Sequence, residues 1–179
     1  MTYSVGDSRV VAKTRNPDAI LKVIDASAPD LVALQGVEPE EASLYADALG
    51  LKLYLPLFSR GNALLTSLPC KGLQDFDLGY GGSCLKVDVE LDEKRFHFFN
   101  VFISTSCKSP HQIGKLISPE ILAHRSVACP TIVAGDFSTI PWMAVALGLS
   151  LSFLKITPPL LSGTFPAPLP LISSERVYV

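Results

Sequence analysis

The apolar positions of this chain switch between helical and alternating spacing, and the switches divide it into elements. Met1 to Gly6 alternates loosely, which predicts a first strand. Asn16-Pro17-Asp18 reads as a turn into a helix, with Pro17 in the first turn, where its missing N–H leaves no partner behind. Ile20, Leu21, Val23 and Ile24 repeat at helical spacing and Pro29 closes the run, so the first helix is expected over Pro17 to Ala28. Leu31-Val32-Ala33-Leu34 is a short continuous apolar run, as in a strand covered on both faces. Pro39-Glu40-Glu41 opens a second helix with acidic residues at its positive end and Gly50 as its stop, and Ala42, Leu44, Tyr45, Ala48 and Leu49 are expected on one side.

Strand-like runs follow at Leu51 to Leu55 and Gly61 to Ser67. Leu85 to Leu91 alternates cleanly, with Leu85, Val87, Val89 and Leu91 on one face and Lys86, Asp88 and Glu90 on the other. It pairs with Arg95 to Ile103 through the charged turn Asp92-Glu93-Lys94, which predicts a hairpin. Gln112 to Ala123 has mixed helical periodicity interrupted by Pro119, and Thr131 to Ala134 is an apolar strand running into Gly135-Asp136-Phe137. The last forty or so residues alternate apolar runs with prolines and close in Arg176-Val177-Tyr178-Val179, the start of another strand. Helix, strand, helix and then several strands imply helices outside largely buried sheets.

A chain of 179 residues is the size of one domain with one sizeable core. Its 48% hydrophobic and 18% charged composition, with a mean hydropathy of +0.35, raises the question of a membrane segment. Trp142 to Ser174 holds only Lys155 as a charge, but Pro158, Pro159, Pro166, Pro168 and Pro170 break it before a helix of about 20 residues can form. Asp7, Arg9, Lys13 and Arg15 stand where the apolar stretch of a signal peptide would have to lie. A net charge of -2 and a pI near 5.9 disfavour sequence-independent binding to nucleic acid, though not a local basic groove. Cys70, Cys84, Cys107 and Cys129 form no C-x-x-C pair and read as free thiols in a reducing cytoplasm.

Four segments in order, Thr2-Tyr3-Ser4-Val5, Pro29 through Glu38, Gly61-Asn62-Ala63-Leu64-Leu65-Thr66-Ser67 and Gly135-Asp136-Phe137-Ser138, resemble the endonuclease/exonuclease/phosphatase superfamily, which includes DNase I. Asn100-Val101-Phe102-Ile103 falls where that family carries an Asn-x-His-Leu strand end. The resemblance implies an α/β fold of the α+β kind: a two-layer β-sandwich of mixed sheets flanked by helices, spanning residues 1–179 and lacking the family's final strand segment. It also implies hydrolysis of phosphoester bonds with one or two magnesium ions. That chemistry needs hard oxygen ligands, a base that activates water and donors that stabilise phosphate charge.

The resemblance fails where the chemistry lies. Gly36 stands at the metal-binding glutamate of the family's Leu-Gln-Glu pattern, Ser4 at the first-strand asparagine, Phe102 at the strand-end histidine and Ser138 at the asparagine of Gly-Asp-Phe-Asn. The closing Ser-Asp-His segment has no counterpart, and the aspartate expected in Arg176-Val177-Tyr178 is missing. Asp136, Asn62 and Asn100 remain as a vestigial catalytic set, with Ser4, Ser138 and Trp142 as binding candidates and Asp136 and Glu38 as weak metal ligands. Each has a plainer reading. Asp136 can be a turn residue, Asn62 and Asn100 can cap loops, Glu38 can cap the second helix and Trp142 can pack on the sheet. His97, His111 and His124 show no ligand spacing, and Lys108, His111 and Lys115 make at most a modest basic edge.

The expectation is therefore a catalytically impaired or inactive domain acting as a binding or scaffold module for a phosphorylated ligand or a protein partner, without a cofactor. The alternative is a diverged phosphodiesterase or phosphatase using magnesium at Asp136, with Asn62, Asn100 and a conscripted Glu38. A shortened chain is a third, duller reading, and a sheet that stops early would expose a strand edge on which a homodimer could form.

Overall fold

The computed structural model describes residues 1–5, 16–58, 61–104, 109–123 and 129–137, together with the backbone of 175–178. Strand β1 (Thr2–Ser4) lies parallel to β2 (Leu31–Val37), which pairs antiparallel with β4 (Gly61–Thr66); β3 (Lys52–Tyr54) completes this first sheet in the order β1-β2-β4-β3. The second sheet runs β5 (Cys70–Gly79), β6 (Gly82–Leu91), β7 (Lys94–Ile103), β8 (Thr131–Phe137) and β9 (Glu175–Tyr178), antiparallel except where β7 and β8 run parallel.

Alternation along the strands sorts the apolar residues into three layers. Ala33 and Leu64 of the first sheet meet Leu85, Val87, Val89, Phe98 and Ala134 of the second, and this is the seam of a sandwich. On the other face of the first sheet, Val32, Leu34, Ala63 and Leu65 pack under helices α1 (Pro17–Ser27) and α2 (Pro39–Leu49). The outer face of the second sheet packs Cys84, Phe99, Val101 and Val133 against Ile113 and Leu116 of α3 (Ser109–Leu116). Each fully buried Leu or Val contributes roughly 1.5–3 kcal/mol, so these clusters are ample to hold a domain of this size.

The helices follow their local signals. Asn16 accepts from the Ala19 N–H at 3.3 Å as the cap of α1, and Ala28 closes the helix in the left-handed region. Gly50, at φ 64°, ends α2 by donating to Ala46 and Asp47. One expected face is corrected: Leu44 is 64% exposed and Ala48 is exposed as well, while Ala46 is buried, because the packed stripe of α2 follows Ala42, Tyr45, Ala46 and the partly buried Leu49 at the i, i+3, i+4, i+7 spacing. The third helix starts earlier and stops sooner than its periodicity predicts, ending at Leu116 before a series of turns around Pro119.

The hairpin stands as expected, with Leu91 opposite Lys94 and a two-residue turn of Asp92 and Glu93, both at positive φ. Leu91 ends half exposed rather than buried on the face predicted for it, because it lies at the last pair of the ladder. Strand β5 has no clean signal in the sequence. It is an edge strand, mostly exposed, whose pairing shifts register between Lys71 and Gln74 and again between Asp77 and Gly79. Those bulges erase the alternation that marks its neighbours. No described helix is long and apolar enough to cross a membrane.

Cys70, Cys84 and Cys129 are free thiols, and of these only Cys84 is buried. Burial, with the Asp75 carboxylate nearby as a smaller cause, holds the Cys84 thiol far above its ordinary value of 9.0. In the unfolded chain this thiol ionises above pH 9 while in the native protein it stays protonated, so its contribution to stability is present below that pH and is lost as pH rises. Two expectations follow from this. Thermal unfolding measured from pH 7 to pH 10.5 falls more steeply with pH in the native protein than in Cys84→Ala, and Cys84 resists iodoacetamide until the protein unfolds. In the hairpin, Glu93→Gly relieves a left-handed side-chain-bearing residue and raises stability by about 1 kcal/mol, read from urea midpoints at unchanged m value.

Candidate functional site

Polar residues occupy the inward faces of the strands at one end of the sandwich, just beyond its apolar seam. In the first sheet, strand register sets Ser4, Gln35 and Asn62 side by side on β1, β2 and β4. In the second, it sets Asp136, Phe102 and Ser83 side by side on β8, β7 and β6. The two rows face each other. Ser4 Oγ donates to Asp136 Oδ2 at 2.8 Å at one side, and Asn62 Nδ2 donates to Ser83 Oγ at 2.9 Å at the other. Asp136 is 6% exposed.

Asn100 lies one step deeper on β7, fully buried, and binds both sheets together. Its Nδ2 donates across the interface to the carbonyls of Leu34 at 3.0 Å and Ala63 at 2.9 Å, and its Oδ1 accepts from Gln35 Nε2 at 2.6 Å. Gln35 is in turn held by Thr2, whose hydroxyl lies 3.1 Å from Nε2. Asn62 Nδ2 also reaches the carbonyls of Ser83 at 3.3 Å and Asn100 at 3.2 Å. Those carbonyls only accept, which fixes nitrogen on that branch of the amide and leaves Asn62 Oδ1 buried without a partner among the described residues.

Backbone geometry places the two residues that flank the mouth. Gly135 has φ 153°, and a Cβ there would meet the Val101 carbonyl oxygen at 1.9 Å, so only glycine allows β8 to lie this close to β7 immediately before Asp136. Phe102 projects toward the other sheet: a Cβ on Gly61 would lie 3.8 Å from its ring and 4.0 Å from Gly36 Cα. Gly36 and Gly61 both sit at positive φ, on either side of a register shift between Gln35 and Val37. A ring at 102 and bare backbone at 36 and 61 thus share one small space.

Of the residues singled out in the sequence, the structure brings Ser4, Asn62, Asn100 and Asp136 into one layer. Asn100 is engaged on every polar atom of its side chain within the protein, which makes it a strut between sheets. Glu38, a candidate metal ligand, would share the face of Gly36 only if the strand ran on, but the strand stops at Val37, which packs under the helices. Glu38 is exposed at the N-cap position of α2, and its side chain makes no capping hydrogen bond, so the capping role expected of it is corrected as well. Ser138, Trp142, Lys108 and His124 lie outside the described residues. His111 packs edge-on against Tyr80, with ring centroids 5.5 Å apart, and Lys115 is exposed in the last turn of α3. His97 pairs with Asp88 at 2.6 Å on the outer face, five residues along β7 from Phe102.

Gln35 and Ser83 were missed as members of this layer. Gln35 carries a usable signal, a lone amide inside the apolar run Leu31 to Val37, whereas Ser83, directly after Gly81-Gly82, carries none.

Magnesium asks for several hard oxygens in near-octahedral array, most often with one or two carboxylates. Asp136 is the one carboxylate in the facing rows, Gly36 offers no side-chain oxygen and Phe102 offers a hydrocarbon ring. Among the described residues no three His, Cys, Asp or Glu side chains stand together as a metal-binding group.

Two mixed sheets packed face to face with helices outside define a DNase I-like fold, that of the endonuclease/exonuclease/phosphatase proteins. The solved structures similar to this chain include an endonuclease/exonuclease/phosphatase family protein from Bacteroides thetaiotaomicron, with a TM-score of 0.78 at 12% identity over 99% of this chain and 79% of that one. The mannosyl-6-phosphatase Bt3783 of the same organism also matches, with a TM-score of 0.78 at 12% identity over 99% and 83% of the two chains. So does the human Nocturnin catalytic domain with bound sulfate, with a TM-score of 0.74 at 16% identity over 98% and 80%. No family model and no curated protein matches the sequence.

Two substitutions test the layer. Asn100→Ala strips partners from two backbone carbonyls and from Gln35, and lowers stability by about 3 kcal/mol in urea titrations, a loss set by the buried groups left unpaired. Gly135→Ala forces β7 and β8 apart and costs at least about 3 kcal/mol, or leaves the chain insoluble on expression.

Proposed function

We propose that this domain is catalytically silent and works as a binding or scaffold module. The observation that carries the reading is the pairing of polar side chains across the mouth. The side chains lining it are engaged with one another across the sheets, and an aromatic ring stands where the related pattern has a histidine. Losing one donor to the developing oxyanion costs roughly two to three orders of magnitude in rate.

The solved structures of similar fold include a phosphatase, and on that analogy the ligand is a phosphorylated molecule or a protein partner. Nucleic acid is the weaker choice for a chain of net charge -2. Free thiols at Cys70, Cys84 and Cys129 suit a reducing compartment such as the cytoplasm. The rival reading is a diverged magnesium-dependent phosphoesterase built on Asp136, which Ser4 holds at the mouth.

Calorimetric titration with magnesium and manganese, together with hydrolysis of bis(p-nitrophenyl) phosphate and of abasic DNA, separates the two. A silent module gives no metal-binding heat and no turnover above Asp136→Ala. Metal-dependent turnover that disappears in Asp136→Ala establishes the enzyme instead.

A further inference from the structure

We draw no further inference here: the strongest candidate, the exposed apolar side chains of Leu57 and Phe58 in the segment whose backbone donates to Asp75 of β5, carries nothing because nothing in the structure shows what covers it.

Discussion

The side-chain amide of Asn100 is the contact on which the arrangement of the two sheets depends. It sits on β7 of one sheet and hydrogen-bonds β2 and β4 of the other, through the Leu34 and Ala63 carbonyls and the Gln35 amide. Sheets that meet through apolar side chains alone can slide by small amounts at little cost, because the hydrophobic effect has no direction. Three hydrogen bonds of fixed geometry remove that freedom. Buried amides of this kind are costly when unmatched and rigid when matched, and here every polar atom of the Asn100 side chain is matched.

From that strut the rest of the layer follows. With the sheets in fixed register, Ser4 reaches Asp136 and Asn62 reaches Ser83, so polar groups that elsewhere could face a substrate face one another. Phe102 stands between Asp136 and Ser83 in the strand register, over the bare backbone of Gly36 and Gly61. Bare backbone at 36 and 61 is therefore sterically compatible with a ring at 102. Asn62 Oδ1, buried with no partner among the described residues, is where this pairing is least complete.

Much of the fold could be read from the chain because its signals are local. The helix starting at Pro17, the helix from Pro39 to the stop at Gly50 and the alternating hairpin of β6 and β7 each declare themselves within a short stretch of chain. What was hidden depends on distant parts of the chain. Strand β5 is an edge with two register shifts, so its side chains keep no simple period, and Leu44 faces water because tertiary packing chose a different stripe of α2. The candidate site was legible as a set of positions but not as a set of roles. Asn100 looked like a catalytic remnant until its partners at Leu34, Gln35 and Ala63, more than 30 residues away in sequence, were placed around it. Glu38 looked within reach of the mouth until the strand was seen to stop at Val37.

The structural role of this amide layer is tested most directly by a double-mutant cycle on Gln35→Ala and Asn100→Ala, with stabilities from reversible urea unfolding. A strut predicts a coupling energy of about 1–2 kcal/mol between the two positions, the range expected for buried groups that share a hydrogen bond. Additive losses, with coupling indistinguishable from zero, would contradict it and return Asn100 to the set of residues available to a ligand.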